Sequence, residues 1–261
     1  MNEVNKTLYI PLYGKSFVSK KGLFIQDKMA EQIWDAEGFT LKGKSRSKWL
    51  AYYMGIRSAT FDDWTREQMS AMPDAVVIHI GCGLDSRAMR VGFDRHMWYD
   101  VDFPQVIDER KKYFAESQNY KMLGADASGD KWLGEIVAES AIVVMEGVSM
   151  YLSPDKLAGL LTNLSSHFKK IALLVDCYTD MAARLTKYKN PINDVGVTTV
   201  WGLDDPAVLQ ISGLKFMSEH SMTPDRYIDQ LKGAERSIFK KLYAGSFSKK
   251  LYRLYEYKKD C

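Results

Sequence analysis

The sequence predicts an α/β fold: a doubly wound, mostly parallel seven-stranded sheet with an antiparallel C-terminal hairpin and an N-terminal helical lid. Three observations carry this. From residue 75 onward, short β-branched runs alternate with helical stretches, the pattern of right-handed βαβ crossovers. The runs AVVIHI (75–80), AIVVMEG (141–147) and KIALLVDCY (170–178) are apolar nearly throughout rather than alternating, as strands covered on both faces must be. The final stretch, FSKKLYRLYEYKK (247–259), alternates Leu/Tyr with Lys/Arg, the period of a terminal edge strand with one wet face.

The elements follow in order. Residues 1–72 read as helical, broken by loops. An amphipathic pattern runs from near Phe24 through Ala30–Trp34, GFTLKGK is a loop, and Lys48–Ile56 and Phe61–Met69 are two further short helices. Pro73 and Asp74 punctuate the chain. The strands are then 75–80, MWYDVD (97–102), KMLGAD (121–126), 141–147 and 170–178. Helices lie between them at Asp85–Val91, Pro104–Ser117 and Pro154–Phe168, the last with Ser153 as N-cap and Pro154 at its first position. A helix, an irregular segment at 190–206 and the edge strands 214–222 and 247–259 complete the chain. No linker separates two units, so one domain over 1–261 is expected, with 1–72 as lid and 73–261 as α/β core.

Composition excludes several classes. With 46% apolar and 26% charged residues the chain is neither disordered nor fibrous. A balance of 36 basic against 33 acidic residues exerts no global pull on nucleic acid. The longest apolar runs are too short to span a membrane, and MNEVNKTLYIPLYGK lacks the apolar stretch of a secretory signal, so a cytoplasmic protein is expected. Cys82, Cys177 and Cys261 have no paired spacing, which speaks against a disulfide scaffold and against a metal site.

In an open parallel sheet, ligands bind beyond the carboxyl ends of the strands. Acids and glycines stand at those ends here: Gly81-Cys82-Gly83, Asp102, Asp126, and Glu146-Gly147. The glycines let the chain turn sharply and a ligand approach. A tight turn with an aspartate cap would explain them alone, but Asp102 follows about twenty residues later, where an acid can accept both hydroxyls of a ribose. The third glycine of GxGxxG is missing, so the pair indicates a nucleoside without a diphosphate. Asp126 could accept from an exocyclic amine such as adenine's, and Glu146 could hold a ligand ammonium.

Taken together, IHIGCGLDSRAMR, YDVDFPQVIDERKKYF and VVMEGVSMYLSPDKL, with LYGKSFVSKKG and IRSATFDDW upstream, resemble the class I S-adenosylmethionine-dependent methyltransferases. More narrowly, they are similar to the leucine carboxyl methyltransferase family and its branch of polyketide O-methyltransferases typified by the tetracenomycin-pathway enzyme. The resemblance implies a Rossmann-like methyltransferase fold and S-adenosyl-L-methionine as cofactor. It implies that Lys15 and Arg57 bind the methionyl carboxylate, that Gly81, Cys82 and Gly83 form the cofactor turn, and that Asp102 holds the ribose. Asp126 with Ala127 would read the adenine edge, Glu146 would lie near the methionyl amine, and Tyr151 would line the acceptor pocket. Replacing Asp102 by Ala is expected to abolish cofactor binding, and Arg57 by Ala to weaken it while sparing the fold.

The expected reaction is in-line methyl transfer to a hydroxyl or carboxylate of a small, polyketide-like acceptor. A carboxylate needs no base, whereas a phenol benefits from one. His220, His96, Tyr178 and Tyr151 are candidates, with no base assigned, and His79 reads as a buried, hydrogen-bonded residue. Tyr178 and Trp201 could line an aromatic pocket under the N-terminal helices. Three rivals remain: a protein C-terminal carboxyl methyltransferase, an NAD(P)-dependent oxidoreductase, and a nucleic-acid binder using the interleaved aromatic and basic residues of the last strand as a stacking platform. Neither a nucleic-acid nor a membrane partner is expected, and the oligomeric state is not legible.

Overall fold

The computed structural model describes residues 8–41, 43–93, 95–186 and 199–260. Helices α1 (Tyr9–Lys20), α2 (Lys28–Glu37) and α3 (Lys48–Ala71) form the N-terminal part. The Asp27 carboxylate caps α2 by accepting the Ala30 N–H at 2.8 Å, and Ser47 caps α3 through the Trp49 N–H at 3.3 Å. The two short helices expected at 48–56 and 61–69 are one helix of 24 residues. The polar stretch between them does not break it because its hydroxyls are satisfied in place. Thr60 and Thr65 donate to the carbonyls of Ile56 (2.9 Å) and Phe61 (2.7 Å), one turn back, and Ser58 reaches Glu146. Close packing of α1 on α3 depends on glycine: a Cβ on Gly14 would lie 2.7 Å from Met54, and one on Gly55 2.7 Å from Val18.

The sheet strands are β1 (Val76–Ile80), β2 (Trp98–Asp102), β3 (Tyr120–Gly124), β4 (Ser140–Met145), β5 (Lys170–Tyr178), β6 (Lys215–His220) and β7 (Tyr252–Lys259). Their order is β3-β2-β1-β4-β5-β7-β6. The first five run parallel, with β1 paired to β2 from Val77↔Trp98 to Ile80↔Val101 and to β4 from Val76↔Ala141 to Ile80↔Met145. Every residue of β1 is buried, and only the first residue of β4 is not, so both faces are covered as their apolar composition requires. Helices α4 (Arg87–Val91), α5 (Pro104–Arg110) and α6 (Pro154–His167) connect them. Helix α5 is shorter than expected because the chain turns after Arg110 and Ser117 bridges back to Tyr120.

The last strand is not at the edge. β7 lies between β5 and β6, antiparallel to both, and Leu254, Tyr255, Glu256 and Tyr257 are buried in its middle. The edge is β6, whose residues alternate between exposed and half-buried. Tyr255 and Tyr257, two of the aromatic residues interleaved with basic ones in this strand, are buried and present no stacking face. After β5 come α7 (Asp180–Leu185) and, beyond β6, α8 (Asp225–Ile228) and α9 (Gly233–Tyr243). Of the irregular segment expected at 190–206, residues 190–198 lie outside the described residues. No described helix is long and apolar enough to cross a membrane.

Candidate active site

The exits of β1 and β4 and the inner face of α1 enclose a cavity of about 130 Å³. Its wall contains Lys15, Arg57, His79, Gly81, Cys82, Gly83, Asp85, Glu146, Gly147, Tyr151, Tyr178 and Tyr252. Gly81 cannot be another residue: its φ is +67°, and a Cβ there would lie 2.1 Å from Val148 Cγ2. Leu8, Ile10, Pro11 and Leu12 close the cavity from the α1 side.

Buried charge dominates this wall. Arg57 donates to Glu146 Oε1 at 2.9 Å and to Asp176 Oδ2 at 3.2 Å, and Arg87 bonds the other Glu146 oxygen. Lys15 Nζ lies 3.0 Å from Asp85, which also faces Arg87 at 3.1 Å and Arg90 at 2.6 Å. Burial pushes the Glu146 carboxyl up, but Arg57 and Arg87 outweigh it and hold the group down at about 2. Asp85 is likewise raised by burial and then driven well below its usual range by Arg90, Lys15 and Arg87. Both are therefore carboxylates at neutral pH. Asp176 goes the other way: full burial, with Glu146 nearby, pushes it up to about 6 although Arg57 pulls it down.

Of the residues singled out by sequence, Lys15, Arg57, Gly81, Cys82, Gly83, Glu146 and Tyr151 meet on this cavity, while Asp102, Asp126 and Ala127 do not line it. Asp102 adjoins the turn, accepting the N–H of Gly83 at 2.8 Å and of Phe103 at 2.8 Å. Burial raises its pKa, the two amides opposing. Asp126 is exposed at the end of β3 and accepts the amide (3.0 Å) and hydroxyl (2.7 Å) of Ser128, the hydroxyl bond keeping its carboxyl low. The carbonyl of Ala127 accepts the Trp132 indole N–H at 3.3 Å. Burial pushes the Cys82 thiol well up, so it is a packing residue rather than a nucleophile.

A second cavity, of about 530 Å³, adjoins the first and shares Ile10, Met54, Tyr178 and Tyr252 with it. The rest of its wall is mostly apolar: Leu50, Tyr53, Ala182, Leu185, Leu242, Tyr243, Phe247 and Leu251, with Ser47 and Ser248. The one charged residue described in this lining is the exposed Lys44. Tyr178 stands here as expected. Trp201 does not: its amide is tied to the Met150 carbonyl at 2.8 Å, which places the ring over a separate small cavity beside Leu152, Pro154 and Leu209. His96 is buried against the Met72 carbonyl at 3.3 Å, and His220 pairs with Glu256 at 2.6 Å, so neither lines the two cavities. His79 reaches the floor of the first, 3.5 Å from Asp100.

Sequence reasoning missed Asp85, Arg87, Asp176 and Tyr252. Asp176 lies inside β5, two residues before its end and just past the Met145↔Val175 pair, so a rule that looks only at strand exits passes over it. Arg87 and Asp85 follow the glycine turn within GLDSR. Tyr252 carries no local signal, since only the insertion of β7 beside β5 brings it to the site.

A sequence profile of the leucine carboxyl methyltransferase family matches residues 3–165. The chain is 32% identical to the tetracenomycin polyketide synthesis O-methyltransferase TcmP of Streptomyces glaucescens over 187 residues, 70% of this chain and 69% of that one. The protein belongs to the leucine carboxyl methyltransferase family. It is an S-adenosyl-L-methionine-dependent methyltransferase. The S-adenosyl-L-methionine-dependent methyltransferase dpfgK of Gibberella zeae is 25% identical over 195 residues, 68% of this chain and 65% of that one. Solved structures share the fold at low identity. A methyltransferase from Anabaena variabilis aligns with a TM-score of 0.56 at 12% identity over 89% of this chain and 94% of its own. The magnesium protoporphyrin IX methyltransferase of Synechocystis aligns at 0.51 and 12% over 88% and 93%. Every residue expected to hold the cofactor lies inside the family match, whereas Tyr178 and Tyr252 lie beyond it.

Proposed function

We propose that this methyltransferase transfers a methyl group to an oxygen of a small, largely apolar acceptor, and that the charged and apolar cavities hold cofactor and acceptor respectively. The observation that carries the reading is their shared wall: a cavity of paired charges and one of rings and methyl groups have Ile10, Met54, Tyr178 and Tyr252 in common.

The donor set of the first cavity suits the methionyl end of S-adenosylmethionine. Lys15 and Arg57 are cations for a carboxylate, Arg57 through the Nη2 that Glu146, Asp176 and Tyr252 do not engage, and Glu146 is an anion at neutral pH for an ammonium. Gly81, where Val148 leaves no room for a side chain, lines the cavity with Cys82 and Gly83 as the turn the cofactor would approach. Asp102 would take the ribose hydroxyls, and Asp126 with Ala127 the adenine edge. When bound, the cofactor supplies an activated methyl carbon on its sulfonium. The protein's work is then to orient the acceptor and exclude water. Helix α1 covers the first cavity with Leu8–Leu12, which supports reading residues 1–72 as a lid on a single domain. Tyr151, which the resemblance put in the acceptor pocket, lines the charged cavity and not the apolar one.

The apolar cavity favours an uncharged ring system over a peptide carboxyl terminus, because burying a carboxylate there would leave it unpaired apart from Lys44 at the rim. The test is to incubate the protein with S-adenosylmethionine and matched pairs of aromatic alcohols and aromatic acids, following S-adenosylhomocysteine release. Turnover of the alcohols is expected. Turnover confined to acids or peptide carboxyl termini would overturn the acceptor assignment.

A further inference from the structure

Tyr252 stands where three cavities converge: the charged one, the apolar one, and a third of about 320 Å³ beside His220. Tyr178 holds its ring edge-on at 4.8 Å between centroids, and Tyr53 does so at 6.3 Å. Its hydroxyl donates to Asp176 Oδ2 at 3.0 Å and accepts from Arg57 Nη1 at 3.1 Å. A phenolic oxygen with those two bonds still has a lone pair for one more donor. Asp176 is fully enclosed, its other oxygen taking the Gly147 N–H at 2.7 Å.

We propose that Tyr252 and Asp176 are the proton exit for an acceptor hydroxyl, Tyr252 touching the acceptor and Asp176 acting through it. The inference rests on the apolar cavity being the acceptor site. The acceptor O–H donates to Tyr252 Oη. As the acceptor oxygen bonds to the methyl carbon, the carbon–sulfur bond breaks and sulfur keeps its electron pair. The hydroxyl proton moves to Tyr252, and the proton of Tyr252 moves to Asp176 Oδ2. The proton leaves for water when the product departs.

The neighbouring groups suit these roles. A phenol, with a pKa near 10, is too weak an acid to lose its proton unaided in an apolar cavity. The groups facing Asp176 are Arg57 and Tyr53 from α3, Glu146 beyond β4, Tyr178 on its own strand and Tyr252 on β7. Burial raises Asp176 to about 6, so it is ionised at neutral pH yet basic enough to hold a proton in passing. Glu146, held near 2, is too weak a base, and burial keeps Tyr252 itself protonated. His220 on the third cavity is engaged by Glu256 at 2.6 Å.

The experiment is binding of 2-naphthol and its methyl ether, 2-methoxynaphthalene, to the S-adenosylhomocysteine complex by fluorescence at pH 5 and pH 8. At pH 8, with Asp176 ionised, wild type is expected to prefer the naphthol by about tenfold, the value of one hydrogen bond into a charged network. At pH 5, with Asp176 protonated, that preference falls toward one. Tyr252→Phe should show no preference at either pH. Asp176→Asn, which keeps the Gly147 contact, should show a preference that no longer changes with pH, so the idea stays testable even if the tyrosine variant does not fold. A pH-dependent preference persisting in both variants overturns the proton exit and leaves the acceptor cavity standing. If neither naphthalene binds beside S-adenosylhomocysteine, the acceptor cavity fails and the proton exit falls with it.

Discussion

The cavity at the exits of β1 and β4 is walled by ion pairs, whereas its neighbour is walled by rings and methyl groups with one charge at the rim. The two differ in what they can tolerate. In the charged wall each side chain neutralises another that is out of reach of water, so removing one leaves an uncompensated buried charge. In the apolar wall, Leu185, Leu242 and Phe247 are exposed, and changing them costs the fold little. The charged residues proposed for the cofactor also lie within the family match, while much of the apolar wall comes from residues after 165. On the proposed assignment, cofactor and acceptor would therefore be held by different parts of the chain.

The largest expected effect is at Asp102, which lies outside this wall but holds the Gly83 N–H of the turn beside it: Asp102→Ala should abolish detectable S-adenosylhomocysteine binding in calorimetry. Next is Arg57→Ala. The sequence suggested that this change would spare the fold, but Arg57 is 5% exposed and compensates both Glu146 and Asp176. Its loss should cost about 3–5 kcal/mol, read as a lower denaturant midpoint as well as weaker binding. An unchanged midpoint would show that these carboxylates do not need it.

Acid titration sharpens the contrast within the charged wall. Glu146 is depressed from 4.5 to about 2, so the stability it contributes is complete above its unfolded value and is lost as pH falls toward 2. Asp176 is raised from 3.8 to about 6, so its contribution is complete below 3.8 and is lost as pH rises through 6. Urea midpoints measured from pH 3 to 8 should therefore show a decline between about 4 and 6 that Asp176→Asn removes. The smallest effect on stability belongs to the apolar side. Phe247→Ala, at a residue 61% exposed, should move the midpoint by under about 0.5 kcal/mol while raising KM for an aromatic acceptor several-fold. A large stability loss there would erase the distinction between the two walls.

The parallel half of the sheet was legible because fully buried strands leave continuous apolar runs, and because sheet geometry dictates where ligands go. Glu146 and Gly81 could be placed on one cavity for that reason, whereas Lys15, on α1, was singled out only by the family resemblance. The length of α3 was not legible, since Thr60 and Thr65 satisfy their hydroxyls within the helix, which sequence alone does not reveal. The place of β7 was not legible either. Alternating Leu/Tyr and Lys/Arg describes an edge strand as well as one inserted beside β5, and only tertiary pairing decides. Tyr252, one of the four residues the two cavities share, depended on that insertion.

The most direct test of the charged cavity as the methionyl site compares S-adenosylhomocysteine with 5′-methylthioadenosine, which lacks the amino-acid end, by calorimetry on wild type and Lys15→Met. Asp85 keeps Arg87 and Arg90 in that variant, so the fold should hold. The affinity for S-adenosylhomocysteine should drop by at least about tenfold, the value of a charge-assisted contact, while that for 5′-methylthioadenosine stays the same. Equal losses for both ligands, or no loss for either, would contradict the assignment.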